Sequence, residues 1–79
     1  MAFGETLERL RRERFWTQQE LAERSGVARQ TIYRYERERV APLGRNVRAL
    51  ASALGVEPAE LAAPEEIART GRKRRPLGT

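Results

Sequence analysis

Two short helical patterns lie back to back in residues 17–36, with only Ser25-Gly26-Val27 between them. A connection that short forces a large angle between the two helices, so it constrains the fold more than any other stretch of the chain. Thr17-Gln18-Gln19-Glu20 opens the first of them as a capping box. The Thr17 hydroxyl can accept from the Glu20 amide while the Glu20 carboxylate accepts from the Thr17 amide. Trp16 stands just before the cap, where it can fold back onto Leu21 as a hydrophobic staple. The helix is expected to end near Arg24, with Gly26 in the left-handed conformation that closes it. The second helix starts near Ala28, and Ala28, Ile32 and Tyr35 recur at i, i+4, i+7 as its buried stripe. Val27 points inward from the turn and locks the pair.

Shorter signals flank this unit. Phe3, Leu7 and Leu10 form one helical stripe that stops near Arg14. After the break at Pro42, Val47, Leu50, Ala51 and Leu54 mark a fourth helix, with Gly55 at its end. Pro58-Ala59-Glu60-Leu61 reads as a short fifth helix started by proline. No strand-type alternation occurs, so the expected class is all-α, five short helices in one small domain. The boundary is placed at residues 63 and 64. Residues 1–63 carry 11 Arg and 9 Glu, whereas residues 64–79 carry 5 Lys and Arg against 2 Glu. The second piece, with Pro64, Gly71, Pro76 and Gly78, reads as a disordered basic tail with a short helical turn at 65–68.

Composition then removes whole classes of chemistry. There is no Cys, no His and no Asp. Disulfides, zinc sites, thiol nucleophiles and histidine bases are all excluded, and no cofactor, metal, catalytic group or small-molecule ligand is expected. No apolar run approaches the ~18–20 residues that span a bilayer. Charges at Glu5, Glu8 and Arg9 argue against a signal peptide, so a cytoplasmic, non-enzymatic protein is expected. The net charge is +5 and the isoelectric point is near 11.0. Such a chain favours polyanions, nucleic acid first and an anionic membrane surface second. No apolar amphipathic face accompanies the basic run Arg72-Lys73-Arg74-Arg75, which disfavours the membrane.

The outer face of the helix after the tight turn carries Arg29, Gln30, Tyr33, Arg34 and Arg37. All are long side chains able to donate hydrogen bonds. The major groove of DNA is read by such groups, arginine bidentately on guanine and glutamine on adenine. Together, Leu7-Glu8-Arg9-Leu10-Arg11, Thr17-Gln18-Gln19-Glu20-Leu21-Ala22, Ser25-Gly26-Val27, Ile32-Tyr33-Arg34-Tyr35-Glu36, Pro42 and Leu50-Ala51-Ser52-Ala53-Leu54-Gly55-Val56 carry a resemblance. Residues 4–63 resemble the Cro/lambda-repressor-type (XRE-like) helix-turn-helix family of bacterial and phage transcription regulators.

The resemblance implies a sequence-specific regulator, most simply a nucleoid-associated repressor, that binds palindromic double-stranded DNA as a homodimer. Arg29, Gln30 and Arg34 match base readers, with Tyr33 between them. Gln18 matches a phosphate clamp that also buttresses the reading helix, and the neighbouring cap Thr17 is a phosphate candidate with it. Arg45 and Asn46 match a backbone-touching loop, and Arg11 and Glu36 match a partly buried ion pair. Arg37, Arg39 and the tail residues Arg72, Lys73, Arg74 and Arg75 are further candidates for phosphate contact. Leu54, Val56 and Leu61 are expected to be partly exposed and to form the dimer interface. The chain departs from the family where Phe15 and Glu38 replace frequent glycines, at spots that usually need positive φ, so these turns are open to a different shape here. It departs again at Ala28, where a Ser or Thr cap is common. The alternative from another class is an antitoxin-like or adaptor module that binds a protein partner, with DNA as a secondary target.

Overall fold

A computed structural model describes residues 3–38 and 40–68. They form α1 (Phe3–Glu13), α2 (Gln18–Ser25), α3 (Arg29–Arg37), α4 (Gly44–Leu54) and α5 (Pro58–Leu61), followed by a 3-10 turn at Pro64–Glu66. There is no strand among the described residues. The all-α expectation holds, and the five helices fall where the apolar spacing places them.

The ends of the helices are fixed by local chemistry. The capping box forms: the Glu20 amide donates to Thr17 Oγ1 at 3.0 Å and the Thr17 amide donates to Glu20 Oε1 at 2.8 Å. Gly26 has φ 81° and closes α2 by donating to the Ala22 carbonyl at 2.8 Å. Ala28 caps α3 with no side-chain hydrogen bond. At the end of α4 the amides of Gly55 and Val56 return to the carbonyls of Ser52 and Ala51. This is a Schellman closure with glycine in its left-handed position. The same closure ends α1, where the amides of Phe15 and Trp16 return to Arg12 and Arg11. Its left-handed residue is Phe15, at φ 59°. At Glu38 the turn takes a different shape. This residue sits at φ −103° with its amide donating to the Arg34 carbonyl, so α3 simply runs out in right-handed backbone.

α3 packs on both α1 and α2, α2 also meets α4, and α5 bridges α4 and α1. Leu7, Leu21, Ile32 and Leu50, one from each of the four longer helices, are fully buried together at the centre. Phe3 meets Tyr35 edge to face, with ring centroids 5.1 Å apart. That contact draws the start of α1 against the end of α3, and Gly4 makes it possible: a Cβ there would overlap the Tyr35 carbonyl oxygen. Arg14 joins α1 to the end of α4 by donating to the Leu10 and Leu54 carbonyls, each at 2.7 Å. It thereby satisfies a carbonyl that α4 leaves open. Trp16 is half-buried against the core, and the Arg24 guanidinium lies over its ring at 4.3 Å.

Three expectations need correction. Ala28, expected in the buried stripe of α3, is the exposed N-cap of that helix, so the stripe is Ile32 and Tyr35 alone. Leu54 and Leu61 are only 3% and 2% exposed, because α5 folds back over the end of α4 and beside α1. They belong to the protomer's own core, and of the three residues expected to be partly exposed only Val56 is half-buried. The folded unit also runs past residue 63. The Ala68 amide donates to the Pro42 carbonyl at 2.7 Å, and Ile67 packs on the core. The Pro64–Glu66 turn is held by the Ala63 amide donating to Glu66 Oε1 at 2.8 Å. Arg39 and the tail residues Arg72, Lys73, Arg74 and Arg75 lie outside the described residues.

Candidate nucleic-acid interface

With Ile32 and Tyr35 committed to the core, geometry turns the rest of α3 outward. Arg29, Gln30, Tyr33, Arg34 and Arg37 are all exposed. They are laid along one side of a helix that leads with its amide end, the end whose free N–H groups favour anions. The structure brings these five together as one surface.

Beside that surface is an open groove between α1, the start of α2 and α3. It is lined by Arg11, Arg12, Thr17, Gln18, Arg29 and Arg37, together with Glu8, Gln19, Tyr33 and Glu36. Four guanidinium groups thus face two carboxylates, and both carboxylates are already engaged. Glu8 pairs with Arg12 at 2.8 Å. Glu36 accepts both Nε and Nη2 of Arg11, each at 2.8 Å, as a bidentate pair. Arg29 and Arg37 have no carboxylate partner among the described residues, so the field at the mouth of the groove is positive.

The Arg11–Glu36 pair organises this region. Its side chains are only 10% and 1% exposed. Arg11 Nη1 also donates to the Trp16 carbonyl at 2.8 Å, which fixes the α1–α2 turn. Gln18 Nε2 donates to Glu36 Oε1 at 2.9 Å. One carboxylate on α3 therefore holds α1 and the first residue of α2. The hydrogen bond to Glu36 raises the Arg11 pKa further above its already high value, against the opposing effect of burial. A raised pKa stabilises the fold below the unfolded-state value and is lost only as pH rises through the folded one. Arg11 thus contributes across the whole neutral range and fails only in strong alkali. Gln18 keeps one N–H for another acceptor at the groove, because an amide nitrogen carries two.

At the start of α4, Arg45 is exposed and Asn46 is half-buried. Asn46 Nδ2 donates to the Tyr35 hydroxyl at 2.9 Å, and the Leu43 amide donates to the same oxygen at 3.4 Å. The buried Tyr35 thus anchors the loop before α4 to α3, a linkage that sequence reasoning missed. It also missed Arg14 and Gly4. A glycine in the first turn of a helix pattern was the available signal for Gly4. Nothing local marks Arg14. Among the described residues no group of His, Cys, Asp or Glu could hold a metal ion, and no helix is long and apolar enough to cross a membrane.

Two helices joined by a three-residue turn, the second with a basic outer face and the first capped at a cationic groove, define a helix-turn-helix DNA-binding protein. A helix-turn-helix family model matches residues 7–61, and the chain belongs to that family, the Cro/lambda-repressor (XRE) type of DNA-binding regulator. No curated protein and no solved structure matches the chain significantly.

Proposed function

We propose that the protein is a sequence-specific repressor that binds a palindromic operator as a homodimer. Each protomer lays α3 in the major groove, with the two half-sites about one helical turn, ~34 Å, apart. Arg29, Gln30 and Arg34 read base edges, and Tyr33 packs between them on a base or sugar. Thr17, Gln18, Arg37, Arg45 and Asn46 hold phosphates on either side, joined by Arg39 and the basic tail. Repression follows from occupancy, since a bound dimer excludes polymerase from the same stretch of duplex. The observation that carries the reading is the uninterrupted exposed face of Arg29, Gln30, Tyr33, Arg34 and Arg37 beside a groove whose carboxylates are already neutralised. With Leu54 and Leu61 in the protomer core, self-association in this reading draws on Val56 and its surroundings.

The test is selection of binding sites from a random duplex pool at ~150 mM salt, repeated with Arg29→Ala and Gln30→Ala. An enriched palindrome is expected, with each variant losing about 1–3 kcal/mol of discrimination at one position of the half-site. Affinity that is equal for all duplexes and collapses with salt would defeat the reading. Attention would then move to an adaptor role with a protein partner, sought by pull-down with and without nuclease.

A further inference from the structure

Arg34 lies on the outer face of α3 and Glu38 just past its end, one turn on, and Arg34 Nε donates to Glu38 Oε1 at 3.1 Å. The identity of the donating nitrogen matters. A guanidinium can offer an acceptor pair either its Nε–Nη2 edge or its Nη1–Nη2 edge. A carboxylate on Nε closes the first and leaves the second for another acceptor pair. Guanine presents O6 and N7 side by side in the major groove, a pair that two parallel N–H groups match.

We propose that Glu38 is a positioning residue for base recognition. It holds Arg34 so that the Nη1–Nη2 edge faces the base, and thereby selects guanine at the position Arg34 meets. This rests on the reading of α3 as the helix that enters the groove. In the free protein the pair is about half exposed on both sides, 55% and 51%, and holds Arg34 only loosely. Docking removes water from it and strengthens the attraction. The opposing consequence is electrostatic. A carboxylate on a surface that approaches phosphates lowers affinity for every duplex alike. Glu38 therefore exchanges general affinity for discrimination.

The experiment compares the wild type, Glu38→Gln, Arg34→Ala and the double variant on the selected half-site and on its single-base variants. Both residues are exposed, so thermal midpoints should be unchanged and folding does not confound the result. Arg34→Ala locates the position that Arg34 reads, which should be a guanine. Glu38→Gln should tighten binding to unrelated duplex severalfold while lowering discrimination at that one position about tenfold. In the Arg34→Ala background it should no longer change discrimination. Tighter binding to every duplex with discrimination intact would overturn the proposal and leave Glu38 a surface charge. So would an Arg34 position that is not guanine. A wild type with no sequence preference at all would instead sink the reading of α3 itself, and this inference with it.

Discussion

Phe15 carries the one positive φ among the described residues that is not a glycine's, and the residue is 93% exposed. Left-handed backbone costs an L-residue roughly 1–2 kcal/mol, and so exposed a ring recovers almost nothing by burial. Gly55 fills the equivalent position at the end of α4 without that strain. Phe15→Gly is therefore expected to stabilise the fold by about 0.5–1 kcal/mol, once the greater freedom of glycine in the unfolded chain is deducted. A urea titration would reveal it, and a loss of stability would mean that the ring is held by something other than this protomer. Glu36 is the opposite case. Its buried carboxylate answers Arg11 on α1 and Gln18 on α2 at once. Glu36→Ala would leave the Arg11 guanidinium buried without its partner, at a cost of about 3–5 kcal/mol, enough to unfold much of so small a domain. Replacing Arg11 and Glu36 together by apolar residues of similar size should recover most of that loss. Gly4→Ala is expected to cost about 1–3 kcal/mol in the same assay, because the added methyl displaces the start of α1 from Tyr35.

At the scale of elements, α2 and α3 differ in how their first turns are closed. Thr17 satisfies an amide of α2, whereas Ala28 leaves the amides of α3 uncapped by any side chain. Ala28→Ser should therefore stabilise the protein by about 0.5–1 kcal/mol, and Thr17→Ala should destabilise it by about 1 kcal/mol. Thermal melts of the two variants should move in opposite directions. These caps, and the helices they bound, were legible in the sequence because their causes are local: Thr17 with Glu20, Gly26 after Arg24, apolar groups three and four apart. What was not legible joins residues far apart in the chain. Arg14 completes α4 by reaching Leu54, and Asn46 is tied to Tyr35 across the loop between α3 and α4. The burial of Leu54 and Leu61 depends on α5 turning back toward α1, and apolar spacing alone does not distinguish a core stripe from an interface stripe. The exposed face of α3 could be read because the core stripe opposite it could be read. The direction in which Arg34 offers its donors could not, since it depends on the conformation of Glu38, a position where glycine had been the family's frequent choice.

For the whole molecule, the distribution of charge decides how DNA is approached. Residues 69–79 hold five Lys and Arg and no Glu, while residues 1–68 hold 11 Arg and 11 Glu. The net charge of +5 thus resides entirely in the last eleven positions. The domain itself is neutral, and its positive face arises only because carboxylates such as Glu8, Glu13 and Glu36 are spent on neighbouring arginines while Arg29 and Arg37 are not. Sequence choice and long-range attraction are then separable. Ending the chain after Ala68 should leave the thermal midpoint unchanged, because the core is drawn from Phe3 to Ala62. It should also leave the selected operator unchanged, because the base-facing groups are on α3. What it should remove is counterion release. Each cation in contact with a phosphate contributes about 0.9 to the slope of log K against log salt, so the slope should become shallower by up to about 4.5 per chain. Affinity measured across a salt series for the full chain and the shortened one reads this directly. An unaltered slope would mean that the basic segment does not reach the phosphates, and that Arg29, Arg37, Arg45 and the start of α2 carry the whole electrostatic share of binding.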